Sequence, residues 1–487
     1  MRFFICKDKS KFTKDWNVKQ YGEWYFMHES DVEIYEAEDF IVLYCGYLIE
    51  SDMQEVCKNF SFKEANGNFF AVKLTKDNYE LALDYFQNHK LFTGDKHGIE
   101  ITNYIPYMTI KEEDIVRKNV TADEYERELT AEERTTYYDQ IFIFDPGYDY
   151  IQDAKDAFEQ ELWQDQKNLT DYIHKCMKQH AEVIKEKYPV RMCALSEGVD
   201  SALQGQFFKE DKQLLYILKP CDSGENSIKY IKYTQDQFPN THCMTFESKD
   251  NRQHCLDHLV DSSTRWQSII PSLKQLKLQD EMPNIFMYGG NGNEMFCRDL
   301  IPHMLFLCLK YYNTNTTKMK EDFLADINQK HNLYGSTYSM PEESMAIGRP
   351  KSGSLSPHGF SALVNKFMGK WFGASGKHYL ATRKYEEFEN ALLRLTTPKL
   401  YTRVITNNIN IMSSSLYSDR RIFYEFLKSD NKVLGGMAMD APIQKALLDK
   451  YNYNFITPRN DIVGANYELL YKSSYEATID HDMEQNI

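Results

Sequence analysis

No two of the ten cysteines stand in a C-x-x-C pair; they occupy positions 6, 45, 57, 176, 193, 221, 243, 255, 297 and 308. That excludes the usual redox couple and a zinc-knuckle framework. Several of these thiols fall in apolar, strand-like runs, where cysteine behaves as a small hydrophobe. A chain of 487 residues buries enough apolar surface to need no disulfides. The expectation is a reduced, cytoplasmic protein with free thiols. Long hydrophobic runs are also missing. Phe40 to Ile49, the longest near the start, is too short to span a bilayer, and Met1 to Lys7 is charged too early for a signal peptide. Basic charge is in deficit: 57 Lys and Arg stand against 72 Asp and Glu, a net −15. This argues against a surface that wraps nucleic acid or adsorbs to anionic membranes. No G-x-S-x-G elbow is present, so a Ser–His–Asp hydrolase is set aside.

Aromatic residues are plentiful at 14 %, 34 of them Tyr, which marks a globular chain. The length suits two or three domains. Residues 1 to about 110 read as mostly β. Arg2–Lys7, Trp24–His28, Val32–Glu36 and Phe40–Ile49 are aromatic and β-branched runs. Asn66-Gly67 gives a hairpin-turn signal, followed by a strand over 68–74, a turn at Asp77-Asn78 and a strand over Tyr79–Leu83. Residues 110–140 are charged and read as a solvated helix or linker. A strand at 140–144 and the turn Asp145-Pro146-Gly147-Tyr148 come next. This turn resembles the one that closes the first domain of the family named below, and the resemblance implies one domain at 1–149 and a second at 150–487.

The second region opens with helical spacing to Lys187, with Leu169, Ile173, Met177, His180 and Ile184 on one stripe. Strands then alternate with helices: 190–195, 213–219, 242–246 and 284–288 are strands, and 202–208 and 230–238 are helical. This rhythm predicts a doubly wound parallel α/β sheet, which binds ligands at the carboxyl ends of its strands.

Ser196-Glu197-Gly198-Val199-Asp200-Ser201 falls at such an end, between the strand at 190–195 and a helix. Helix N-terminal N–H groups and serine hydroxyls suit phosphate, and an aspartate can hold magnesium against it. Gly289-Gly290-Asn291-Gly292-Asn293-Glu294-Met295-Phe296 lies at the end of a later strand.

The first stretch resembles S-G-G-x-D-S, the pyrophosphate-binding loop of the ATP pyrophosphatases. The second resembles G-D-G-A-D-E-L-F of the asparagine synthetase family, which includes β-lactam synthetases and lasso-peptide cyclases. Gly67 to Ala71 resembles a stretch of that family's glutaminase domain. Leu416 to Phe426 and Pro442 to Leu448 resemble later parts of its synthetase domain. The resemblance implies an Ntn-hydrolase-like, β-rich first domain and a nucleotide-binding second domain with helical additions. It implies an ATP-dependent ligase that forms amide bonds through an acyl-adenylate, releasing AMP and pyrophosphate. ATP would contact Leu195, Ser196, Gly198, Val199, Asp200, Ser201, Leu218, Gly289 and Gly290. Magnesium would be held by Asp200 and Glu294, and Arg459 and Glu294 would serve the reaction, Arg459 by neutralising pyrophosphate. The partners implied are a small-molecule or peptide carboxylate and an amine or ammonia donor. Neither a membrane nor nucleic acid is among them, and the sequence leaves a homo-oligomer open.

This chain departs from the family pattern at several places. Arg2 stands where the family exposes a catalytic cysteine, so glutamine hydrolysis is not expected. Glu197 replaces a glycine, and a unit charge ~5 Å from a phosphate costs on the order of 3 kcal/mol at an effective dielectric of ~20. Asn293 stands in place of an aspartate, and no acid lies near Met412. The alternative is therefore a decayed synthetase serving as a binding or scaffold protein. Two bland clusters complete the inventory. His254, Cys255 and His258 share a helix face without a further zinc-spaced pair, and Asp222 to Glu225 form a loop placed to touch ribose or adenine.

Overall fold

The computed structural model describes residues 1–13, 16–86, 88–94, 98–104, 107–108, 141–144, 146–148, 163, 165–195, 198–218, 233–246, 283–289, 292, 412–427 and 442–453. Within these residues the protein is mixed α/β, with two antiparallel sheets followed by a parallel one.

The early aromatic and β-branched runs become β1 (Phe3–Cys6), β2 (Lys19–Tyr21), β3 (Trp24–His28), β4 (Glu33–Glu36) and β5 (Ile41–Leu48). They continue as β6 (Gly67–Leu74), β7 (Tyr79–Leu83), β8 (Phe92–Gly94), β9 (Glu100–Thr102) and β10 (Ile141–Ile143). One sheet has the order β10-β8-β9-β1-β3-β2 and the other β4-β5-β6-β7. In the smaller sheet, β5 and β6 pair antiparallel from Ile41↔Leu74 to Leu48↔Gly67, and successive side chains point to opposite faces. Ile41, Leu43, Cys45 and Tyr47 with Phe70, Val72 and Leu74 join the main core. Val42, Tyr44, Phe69 and Ala71 pack beneath helix α1 (Met53–Asn59) in a second cluster with Val56, Cys57 and Phe62. Both faces are covered, which is why these strands read as continuous apolar runs.

The turn expected at Asn66-Gly67 is absent. Gly67 instead begins β6, and β5 and β6 are joined through α1 and a short 3-10 turn at Phe62–Glu64. The glycine serves close strand approach: a Cβ on Gly67 would lie 2.2 Å from the Tyr47 carbonyl oxygen. Gly46, opposite Phe69, has φ +117, and a Cβ there would lie 2.1 Å from the Asn68 carbonyl oxygen. Only glycine fits either position.

Helix α2 (Gln166–Lys187) opens the second region. The Asp165 carboxylate caps its first turn by accepting from Lys167 N–H, and Lys185 and Lys187 sit in its last turn, where the helix dipole favours cations. The expected stripe is buried: Leu169, Ile173, Met177, His180 and Ile184 all face inward. Pro189 follows and ends the helix. Then come β11 (Arg191–Leu195), α3 (Val199–Phe207), β12 (Lys212–Leu218), β13 (Thr241–Phe246), β14 (Ile285–Met287), β15 (Met412–Ser414), α4 (Arg420–Leu427) and α5 (Pro442–Asp449). The five strands pair in parallel in the order β13-β12-β11-β14-β15. The chain steps outward one way from β11 through β12 to β13, then returns to β11's other side for β14 and β15. The order reverses between β11 and β14, and parallel sheets open a crevice at such a point, beyond the strands' carboxyl ends.

Candidate functional site

Leu195 closes β11 and is fully buried. Gly198 is the N-cap of α3, in extended backbone and with no side chain of its own. Val199, the first residue of α3, is buried, and Asp200 after it is half-buried. Ser201 is buried, and its hydroxyl donates to the Gly198 carbonyl at 3.0 Å, so that hydroxyl is turned into its own helix.

The second glycine-rich stretch lies against the first. A Cβ on Gly289 would be 2.9 Å from the Ser201 nitrogen. One on Gly292 would be 2.6 Å from Asp200 Cγ and 2.7 Å from its Oδ1. Real Cβ atoms do not approach that closely, so any other residue at 292 would displace the carboxylate. Tyr288 N–H donates to the Ser414 carbonyl at 2.9 Å, which ties the exit of β14 to β15. Two stretches separated by some ninety residues thus meet at the reversal between β11 and β14, as the βαβ rhythm predicts.

Two further elements reach the same aspartate. Tyr417, just beyond β15, donates its hydroxyl to the Asp200 backbone carbonyl at 2.6 Å. Gln444 on α5 donates its Nε2 to Asp200 Oδ1 at 3.0 Å. Gln204, one turn along α3, accepts from Leu416 N–H at 2.9 Å. None of these three residues stood out as functional in sequence. Gln444 is 1 % exposed among the buried Ile443, Leu447 and Leu448, a burial that its polar side chain does not announce in the sequence.

Of the sequence-derived positions, Leu195 ends β11, Gly198, Val199, Asp200 and Ser201 open α3, and Gly289 abuts Ser201. Leu218 ends β12, the strand next to β11. Ser196, Glu197, Gly290, Asn293, Glu294 and Arg459 lie outside the described residues, as do His254, Cys255, His258 and the loop at Asp222 to Glu225. Among the described residues, no group of three or more His, Cys, Asp or Glu gathers as a metal cage. Magnesium that arrives on phosphates needs only one or two carboxylates and keeps several waters, so Asp200 beside a backbone turn fits that mode. It does not fit a cage made wholly of protein ligands.

The segment around β15 also faces β5 and β6. Asn68 Nδ2 donates to the Ser413 carbonyl at 2.9 Å. The Tyr47 hydroxyl is 2.6 Å from both Ser414 Oγ and His180 Nε2. Asn66 Nδ2 donates to Asp419 Oδ1 at 3.0 Å, and Asn66 Oδ1 accepts from Arg420 N–H at 3.1 Å. Asp419 is fully buried and salt-bridged to Arg421 at 2.7 Å. No acid stands at Met412, which is buried in β15. The nearby acid, Asp419, is committed to this seam.

The two antiparallel sheets and α1 offer no activated thiol among their described residues. Cys6 is the last residue of β1, and burial pushes its thiol up to about 11. Cys45 and Cys57 are raised by burial to about 12. The Met1 ammonium pairs with Glu29 Oε2 at 2.8 Å. Buried Asp84 is pushed up to about 8 by burial, against three donors from Phe86 and Asn88. Among the described residues no helix is long and apolar enough to cross a membrane. No family model matches the chain, and neither does any curated protein.

Proposed function

We infer that this protein binds the phosphates of ATP over residues 198–201 and uses them to activate a carboxylate. The product would be an amide, formed through an acyl-adenylate with release of pyrophosphate and then AMP. The observation that carries this reading is the contact of Gly289 and Gly292 with Ser201 and Asp200, at the point where the parallel sheet reverses its strand order. Both stretches are the ones that resemble the asparagine synthetase family.

The chain's own groups divide the work as follows. The α3 N-terminus faces negative charge with aligned peptide dipoles. Asp200 would hold magnesium, which neutralises phosphate charge when bound. The glycines at 289 and 292 let backbone approach where a side chain would collide. Arg459, six residues beyond Tyr453, supplies a guanidinium suited to pyrophosphate as it leaves. Arg2 and the buried Cys6 give the first domain no route to glutamine hydrolysis, so the amine comes from free ammonia, a substrate or a partner.

Pyrophosphate release, assayed across candidate carboxylates, tests the reading with Asp200→Ala as control. Release that depends on Asp200 supports it, and no such release with any carboxylate removes it. A second reading, a decayed synthetase kept for binding, is favoured by the Ser201 hydroxyl turned onto Gly198, together with Glu197 and Asn293 in the sequence. Under that reading Mg–ATP would not bind, and Glu197→Gly would restore affinity.

A further inference from the structure

We propose that Gln444 is a positioning residue for the Asp200 carboxylate, fixing the direction in which it meets a phosphate-bound cation; this rests on the nucleotide reading above. Gln444 is 1 % exposed on α5, and its Nε2 donates to Asp200 Oδ1 at 3.0 Å. Its helical neighbours Ile443, Leu447 and Leu448 are buried and apolar. Packing alone would place another aliphatic residue there, because burying an amide costs free energy that only a hydrogen bond recovers. The partner that recovers it is Asp200.

The choice of an amide is chemically specific. A lysine or arginine at 444 would neutralise the carboxylate and compete with a metal ion. A glutamine orients the carboxylate and leaves its charge intact, as donors behind metal-binding carboxylates do. The surroundings hold the same group from other sides. Gly292 backbone closes over the carboxylate, and the Tyr417 hydroxyl holds the Asp200 carbonyl at 2.6 Å. Asp200 is therefore fixed in both main chain and side chain by elements from three separate parts of the sequence.

Calorimetric titration of Mg–ATP into wild type, Asp200→Ala, Gln444→Met and Gln444→Lys, with parallel thermal melts, tests this. Gln444→Met keeps the length and volume but removes the donor. It is expected to weaken Mg–ATP binding about tenfold, the lower end of what losing a group behind a metal ligand costs. Its melting temperature should stay level or rise, because half-exposed Asp200 can take water in exchange and the core gains an apolar side chain. Gln444→Lys offers Asp200 an ammonium and should raise the magnesium needed for half-saturation about tenfold. Should Gln444→Met not melt cooperatively, the magnesium dependence of Gln444→Lys decides alone. Wild-type affinity and magnesium dependence in both variants, with binding lost in Asp200→Ala, overturn the role of Gln444 and leave the nucleotide reading standing. Affinity that falls only in step with melting temperature assigns Gln444 to the core and overturns the proposal too. No binding by wild type, or undiminished binding by Asp200→Ala, removes the nucleotide reading and this inference with it.

Discussion

Asp200 draws its neighbours from positions as far apart as 292, 417 and 444. A half-buried carboxylate held in this way keeps one orientation, which an open surface aspartate would not. Gly292 is the tightest of these constraints. Gly292→Ala puts a methyl group where Asp200 Cγ and Oδ1 now lie. The expected cost is about 1–3 kcal/mol of stability, as for other overpacked sites, with at least a tenfold loss of Mg–ATP affinity. Denaturant unfolding and calorimetry check the two effects separately. An alanine variant with wild-type affinity would show that the 289–292 stretch is not part of the site. Asp200 itself was legible in sequence from its place between a strand and a helix. Gln444 and Tyr417 were not, because a side chain's partner two hundred residues away leaves no periodic trace.

At the scale of the elements, the segment from β15 into α4 joins the β5–β6 pair to the residues around Asp200. Its one side binds Asn66, Asn68 and Tyr47, and its other side reaches Gln204 and Asp200 through Leu416 and Tyr417. Removing one partner of a buried polar pair leaves the other unsatisfied, and that costs more than the bond was worth. Asn66→Ala deprives buried Asp419 of a donor and Arg420 N–H of an acceptor. A loss of about 1–3 kcal/mol is expected in urea unfolding, whereas the exposed pair Lys178–Glu182 should yield almost nothing on Lys178→Ala. Equal, negligible effects would mean the seam contributes no stability. Strands such as Trp24–His28 and Tyr79–Leu83 were legible to the residue, since an apolar run bounded by turn residues has few other outcomes. Gly67 was misread because glycine after asparagine signals a turn as readily as it permits close strand approach, and only the pairing with Leu48 separates the two. The seam was illegible for another reason: Asn66, Asn68 and Tyr47 look like ordinary strand and loop residues until β15 and the start of α4 are placed against them.

At the scale of the whole molecule, buried histidines set an acid limit. Burial pushes His89 down to about 3 and His180 down to about 4, from an ordinary 6.5, with Asp419 opposing the shift at His180. Both are neutral when folded, while the unfolded chain takes up protons first as pH falls. Their contribution to stability is complete above 6.5 and is lost progressively as pH falls towards 4 and then 3. Near pH 5, His89 alone should cost the folded state about 2 kcal/mol relative to neutral pH. His89→Leu is expected to lose that much less than wild type between neutral pH and pH 5, read by urea unfolding at each. Identical losses in the two proteins would show that His89 is not buried as described.

What emerges is a pair of antiparallel sheets, with no activated thiol among their described residues, that share an apolar core and a polar seam with a parallel sheet whose reversal point holds Asp200. The most direct measurement is a crystal structure with ATP and magnesium. The phosphates are expected at the N-terminus of α3, with magnesium against Asp200 and Gly292 close by. Nucleotide bound away from the β11–β14 crevice, or none bound at saturating ATP and magnesium, would contradict the account.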